Sequence, residues 1–151
     1  AQPALTAQTL IDRAEIEDML TRYVTELGHA GTDSYIKYYA EDAELVLGSK
    51  TYKGHAGIAD AYAAARATPG NTRGTAFAFN TLLSNPMIVV RGDTATAHFI
   101  FTEVLIDKPQ APPRILVQGH EYDTLVRMNG KWQFRKRQIV SSAAAPAGWQ
   151  P

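Results

Sequence analysis

The second half of the chain is dominated by long stretches of β-forming residues, and these limit what it can fold into. Residues 77–90, 94–106, 114–128 and 132–141 each read as a strand of ten residues or more. Arg91-Gly92-Asp93, the proline-bearing segment 108–113 and Asn129-Gly130 divide them, the last being a strong type I′ hairpin signal. Asn85-Pro86 falls inside the first stretch, and a proline that cannot donate to a ladder marks a bulge or an edge there. Along residues 94–106, Ala95, Ala97, Phe99 and Phe101 alternate with Thr94, Thr96, His98 and Ile100, so one face is set apart for a core.

The first half is helical in character. Within residues 9–27, Ile16, Met19, Leu20, Tyr23, Val24 and Leu27 recur at three- and four-residue intervals, with Asp12, Arg13, Glu15, Glu17 and Asp18 between them. Thr9 or Asp12 is the expected cap and Gly28 the terminator. Residues 33–40, with Asp33 as N-cap, predict a second short helix; 43–47 a strand; 48–54 a turn or short hairpin; and the alanine-rich 58–66 a third helix. The expected organisation is a flexible segment 1–8, one domain over 9–141 and a tail over 142–151. Helices followed by a meander of long strands make an α+β layer fold, in which the sheet curls around a helix and leaves a cone-shaped cavity.

Composition narrows the function. A chain of 151 residues suits one domain. Fifteen basic and fifteen acidic residues cancel, which argues against a nucleic-acid or polybasic membrane partner. With no cysteine there is neither a disulfide framework nor a thiolate site. The four histidines are scattered without metal-ligand spacing, and no phosphate loop, dinucleotide fingerprint or nucleophile elbow occurs, so chemistry without metal or cofactor is expected. Ala1-Gln2-Pro3-Ala4 fits loss of an initiator methionine or signal cleavage alike. The cytoplasm is the expectation, with a periplasmic or secreted location left open.

Particular strings resemble a known family. Arg22-Tyr23, Tyr39-Ala40-Glu41-Asp42-Ala43-Glu44, Thr51-Tyr52-Lys53-Gly54-His55-Ala56-Gly57-Ile58, Ser84-Asn85-Pro86 with Gly92-Asp93-Thr94-Ala95, and Gly130-Lys131-Trp132-Gln133-Phe134 with Arg137 are similar, in this order, to motifs of the SnoaL-like family. That family lies within the nuclear-transport-factor-2-like superfold, and the match runs over roughly residues 9–140. The resemblance implies an NTF2-like cone, a curved antiparallel sheet around N-terminal helices with an internal pocket, and often a homodimer through the outer sheet face. The nearest types are scytalone dehydratase, dehydrochlorinase and bile-acid dehydratase. Since the superfold hosts lyases, isomerases, cyclases and non-catalytic proteins, function has to be argued from the pocket.

Family members that remove a proton commonly pair an aspartate at the end of the first helix with a histidine on the long third strand. Here the resemblance places Gly28 and Thr81 at those positions, so both members of the dyad are missing. Tyr23 matches a tyrosine that is catalytic in bile-acid-dehydratase-like members, and it also reads as a packing residue. Glu103 shares strand parity with Phe101 and points inward, as general base or acid, or as a partner of Arg137. Carrying over a Gly-x-Tyr-x-Asp pattern puts Glu121 and Asp123 inward and His120 and Tyr122 outward, a bulge being able to invert them. His120 stays a candidate for its titration near neutrality.

Catalytic candidates are therefore Tyr23, Glu103, Glu121 and His120. Candidates for substrate binding are Tyr39, Tyr52, Phe79, Asn80, Phe101 and Arg137, the last orienting a carboxylate or serving structure. The expected activity is a cofactor-independent lyase that eliminates water or a small carbonyl fragment such as formaldehyde from a hydrophobic, aromatic small molecule. An isomerase or cyclase acting on a ketone and a non-catalytic ligand-binding protein are the alternatives. Outer-face residues His98, Ile100, His120 and Tyr122 would build a homodimer or higher homo-oligomer.

Overall fold

The computed structural model describes residues 3–27, 34–141 and 144–151. Ala1, Gln2, Gly28 and Asp33, named above, lie outside the described residues. Helix α1 (Ala7–Leu27) begins before Thr9, because Thr6 rather than Thr9 or Asp12 caps it. Thr6 Oγ1 accepts from the Thr9 backbone N–H at 3.1 Å and Thr9 Oγ1 accepts from the Thr6 N–H at 2.8 Å, so two orphan donors of the first turn are satisfied reciprocally. The helix buries Ile16, Met19, Leu20, Tyr23 and Val24, as the spacing predicts. It also buries Asp12, which sequence polarity placed on the wet side. Asp12 falls one turn before Ile16 on the same stripe, and Arg127 Nη1 reaches it at 2.6 Å, so its charge is compensated.

The predicted second helix is shorter: a 3₁₀ turn (Ser34–Tyr38) gives way to β1 (Tyr39–Leu47). Tyr39 and Ala40 are therefore strand residues. A short hairpin leads to β2 (Lys50–Lys53), and α2 (Gly54–Ala67) is longer than the 58–66 its alanines suggested. The meander follows as expected, in β3 (Ala78–Arg91), β4 (Thr94–Ile106), β5 (Arg114–Met128) and β6 (Lys131–Val140). Asn129 and Gly130 both adopt positive φ, 52° and 75°, as a type I′ turn requires. No helix among the described residues is long and apolar enough to cross a membrane.

The strands form one open sheet in the order β2-β1-β6-β5-β4-β3, with β1 and β6 parallel and every other pair antiparallel. The sheet curves around α1, which packs against β3 and β6, and α2 packs on β1. Two of the register irregularities bring residues of opposite parity to the concave face. In β3 one extra residue at Asn85-Pro86 shifts the pairing between Ser84 and Met87, so Leu83 and Ile88 both face inward although their parities differ. In β6 the extra residue is Arg135, which likewise lets Phe134 and Arg137 both be buried.

The opposite, outer face carries a stacked row of rings. His98 lies 4.5 Å from Tyr122 and 5.3 Å from His120 between centroids, and Trp149 of the tail meets Tyr122 edge-on at 5.3 Å. The described part of the tail thus touches the outer face.

Gly119 of β5 sits under the Phe101 ring. A Cβ there would lie 2.7 Å from that ring and 2.8 Å from the Val140 carbonyl oxygen, and backbone cannot retreat cheaply. Gly119→Ala is therefore expected to cost about 1–3 kcal/mol in urea denaturation, the midpoint falling without a change in slope.

Candidate functional site

Arg137 occupies the centre of the concave face at 3% exposure. Its Nε donates to Glu121 Oε2 at 2.8 Å and its Nη2 donates to Glu121 Oε1, a two-pronged pair on a carboxylate that is also 3% exposed. Nη1 turns the other way and donates to the hydroxyls of Tyr23, Tyr39 (3.1 Å) and Tyr62 (3.0 Å). The three phenols also bond one another, Tyr39 to Tyr62 at 2.9 Å, Tyr23 to Tyr39 at 3.3 Å, and Tyr23 to Tyr62. Tyr23 comes from α1, Tyr39 from β1, Tyr62 from α2, Glu121 from β5 and Arg137 from β6, so the cluster ties five elements at one point.

Electrostatics follow from burial. It pushes the Tyr23 and Tyr62 hydroxyls well above the ordinary phenol range, and the nearby Arg137 charge only partly offsets it, so both remain protonated donors. Burial works against the Arg137 charge too, but the Glu121 carboxylate and the phenols outweigh it, and the guanidinium stays protonated. Two residues from Glu121 on the same strand face, Asp123 is fully buried and neither of its carboxylate oxygens has a hydrogen-bond partner. Burial first, then the adjacent Glu121 charge, raises its pKa well above the usual carboxylate range against the pull of Arg137. Asp123 therefore holds its proton to a higher pH than an ordinary carboxyl group does.

Beside the cluster opens a cavity of about 870 Å³. Its wall is largely apolar, with Leu45, Leu47, Phe79, Phe101, Val117 and Ile139 among its lining, and Tyr62, Glu121 and Arg137 reach it. A second ion pair lies on the same wall, where Arg73 Nε (2.9 Å) and Nη2 (2.5 Å) both donate to Glu103 Oε2. This pair is nearer to solvent, at 39% and 16% side-chain exposure. Arg73 belongs to the segment between α2 and β3, which Asn71 organises by donating to Ala65 O (2.8 Å) and accepting from the Arg73 backbone N–H (3.0 Å).

The structure brings Glu103, Glu121, Phe79, Phe101 and Arg137 to the cavity wall. Tyr23 and Tyr39 join the hydrogen-bonded cluster without lining the cavity. Tyr52 packs against the core outside the lining. Asn80 is exposed, because strand alternation turns it away while its neighbour Thr81 faces in. His120 is likewise on the outer face, its Nδ1 3.1 Å from His98 Nε2, and cannot reach the cavity. Tyr62, Arg73 and Thr81 are lining residues that sequence reasoning did not put forward. Tyr62 could have been found as the one aromatic on the Ile58–Ala61–Ala65 stripe of α2; Arg73, in an irregular segment, leaves no periodic signal.

The raised Asp123 pKa fixes a sign. A proton held more tightly in the folded state stabilises it fully below the unfolded value near 3.8, and this contribution is lost as pH rises toward the folded value. Asp123→Asn mimics the neutral acid, so it should match the parent under acid conditions. Above about pH 4 it should become the more stable of the two, by up to about 1.4 kcal/mol per pH unit until the folded pKa is passed. Urea titrations of both proteins from pH 4 to 9 check this.

A family model described as a SnoaL-like domain matches residues 8–138. Among solved structures, an NTF2-like protein with a cystatin-like fold from Novosphingobium aromaticivorans is similar at 22% identity and a TM-score of 0.73, covering 93% of this chain and 88% of that one. A Nostoc punctiforme protein of unknown function with a cystatin-like fold is similar at 24% identity and 0.73, with 95% and 98% covered. A Novosphingobium aromaticivorans protein provisionally named a scytalone dehydratase is similar at 19% identity and 0.71, with 97% and 100% covered. At these identities the likenesses speak to fold, and the cone with N-terminal helices is that of the NTF2-like, cystatin-like structures. No curated protein matches the chain.

Proposed function

The chain belongs to the SnoaL-like domain family, and we propose that it is a cofactor-independent lyase acting on a hydrophobic, aromatic small molecule by general acid–base catalysis. The observation that carries this reading is the meeting, at one wall of an apolar cavity, of a protonated phenol and a buried carboxylate organised by one guanidinium. Tyr62 lines the cavity, and Tyr23 and Tyr39, hydrogen-bonded to its hydroxyl, stand behind it as a proton relay. In this mechanism Tyr62 protonates the departing oxygen when water is eliminated, or the carbon left behind when a carbon–carbon bond breaks to release formaldehyde. Glu121 accepts the substrate proton while Tyr62 becomes a phenolate, so the negative charge opposite Arg137 moves from carboxylate to phenol without being lost. The Glu121 proton then passes back to Tyr62 and restores both. Arg137 meets the negative charge that develops on the phenol, at a site where little water competes with it. The apolar wall suits flat rings and excludes the water that would quench a reactive intermediate. The likeness to a provisionally named scytalone dehydratase agrees with elimination of water.

A ligand-binding protein without turnover is the second reading. It is favoured by Thr81, which lines the cavity where proton-abstracting relatives carry histidine. The two part on a simple measurement. Incubated with aromatic diols, hydroxyketones and epoxides, the lyase yields a product lighter by water or formaldehyde in mass spectrometry, whereas a carrier retains a compound unchanged.

Tyr62→Phe removes one hydroxyl and leaves the ring packing against Tyr35, at 4.4 Å between centroids. It should lower kcat by about 10²-fold or more while the thermal midpoint moves by only a few degrees. Full activity in this variant would remove Tyr62 from the mechanism.

A further inference from the structure

The two ion pairs on the cavity wall differ in a way that bears on what the cavity binds. At the inner pair Arg137 has its donors engaged, by both oxygens of Glu121 on one side and by phenols on the other, and both residues are 3% exposed. Breaking such a pair leaves a buried charge uncompensated, so Arg137 is poorly placed to receive a ligand's acid group. At the outer pair, Arg73 is 39% exposed and both of its hydrogen bonds to Glu103 land on the single oxygen Oε2. That arrangement does not use the fork in which a guanidinium matches a carboxylate oxygen for oxygen. With Arg73 at 39% side-chain exposure, water reaches its end of the pair, so its partner is exchanged there at less cost than at the buried inner pair.

Among the described residues, the charged side chains of the lining are Arg66, Arg73, Arg137, Glu103 and Glu121. The Phe79 ring lies 5.9 Å from the Arg73 guanidinium and offers a flat apolar surface beside it. Glu103 is in register with Val117 of β5, and Glu121 follows four residues along that strand. At roughly 3.3 Å per residue the two acidic positions are therefore about 13 Å apart along the sheet, the length of an elongated two-ring molecule.

We propose that Arg73 is the specificity-determining residue of the cavity and selects elongated aromatic compounds that carry one anionic oxygen group, a carboxylate or an acidic phenol. The anion takes the guanidinium in a forked pair, Glu103 is released from Arg73, and the apolar body of the molecule runs inward along Phe79 and Phe101 toward Tyr62. This rests on the reading of the cavity as a small-molecule site and names the class of molecule it takes.

Isothermal titration calorimetry tests it without any turnover, using naphthalene-2-carboxylate and biphenyl-4-carboxylate with their neutral carboxamides. The parent protein should bind at least one carboxylate about tenfold or more tighter than its carboxamide, as charge-assisted hydrogen bonds do. In Arg73→Met that preference should vanish while carboxamide affinity stays within about threefold. In Glu103→Gln, where the competing carboxylate is gone, the bound carboxylate should gain affinity, which a merely structural Arg73–Glu103 latch would not produce. Equal affinity for acid and amide in the parent, a preference that survives Arg73→Met, or no binding of any of the four would overturn the proposal. Selective binding with no product from any substrate panel would count against the lyase and leave Arg73 standing. Turnover of neutral compounds with no acid preference would do the reverse.

Discussion

A guanidinium taken out of water is costly, and five elements of this fold, α1, β1, α2, β5 and β6, each supply or hold a group of the cluster that compensates Arg137. Glu121 neutralises it, and three phenols from α1, β1 and α2 fill the remaining donor directions. Each phenol must arrive at the correct height along its own element, which fixes the docking of both helices on the concave sheet. A buried ion pair of this kind is weak grounds for stability, since apolar residues of similar volume often do as well or better. What it supplies is a hydrogen-bonded polar cluster inside the core, with Tyr62, Glu121 and Arg137 at the cavity wall. The same burial raises the pKa of Asp123 and of the Tyr23 and Tyr62 hydroxyls, so one environment shifts all three groups toward their protonated forms.

Much of this was legible in sequence because it rests on period and turn chemistry. The stripe through Ile16, Tyr23 and Val24, the alternation through Ala95 and Phe101, and the Asn129-Gly130 turn each have a local cause, and the elements they predict are present. The inward direction of Glu121 and Asp123 also follows from alternation, because the irregularity near them falls at Arg135 of β6 rather than between them in β5. Arg137 faces inward only by virtue of that extra residue. No pattern within β6 announces it, because a bulge is a property of two strands in register and not of one.

What sequence could not supply depends on contacts between distant segments. Asp12 reads as polar surface until Arg127 is seen to reach it across more than a hundred residues. Arg73 reads as a loop charge until the connection after α2 is seen to fold over Glu103. Tyr62 was hidden by composition: one ring in an alanine-rich helix looks like packing, and only the convergence with Tyr23 and Tyr39 gives its hydroxyl a chemical setting. His120 stands on the outer face beside His98, the direction that alternation along β5 assigns it.

A sheet that wraps a ligand chamber without closing keeps two bare margins, and each margin could recruit a strand from another molecule. This sheet treats them differently. On one side β2 is four residues long and bears Lys50 and Lys53, too short and too charged to template a partner. On the other, β3 is fourteen residues long and would be a hazard if it were straight. Its Asn85-Pro86 bulge breaks the run of free backbone groups midway, with Asn85 at φ 53° and a proline that has no N–H to give. The irregularity that sends Leu83 and Ile88 to the same face therefore also guards solubility, and straightening it would trade a shaped chamber for a tendency to polymerise edge to edge.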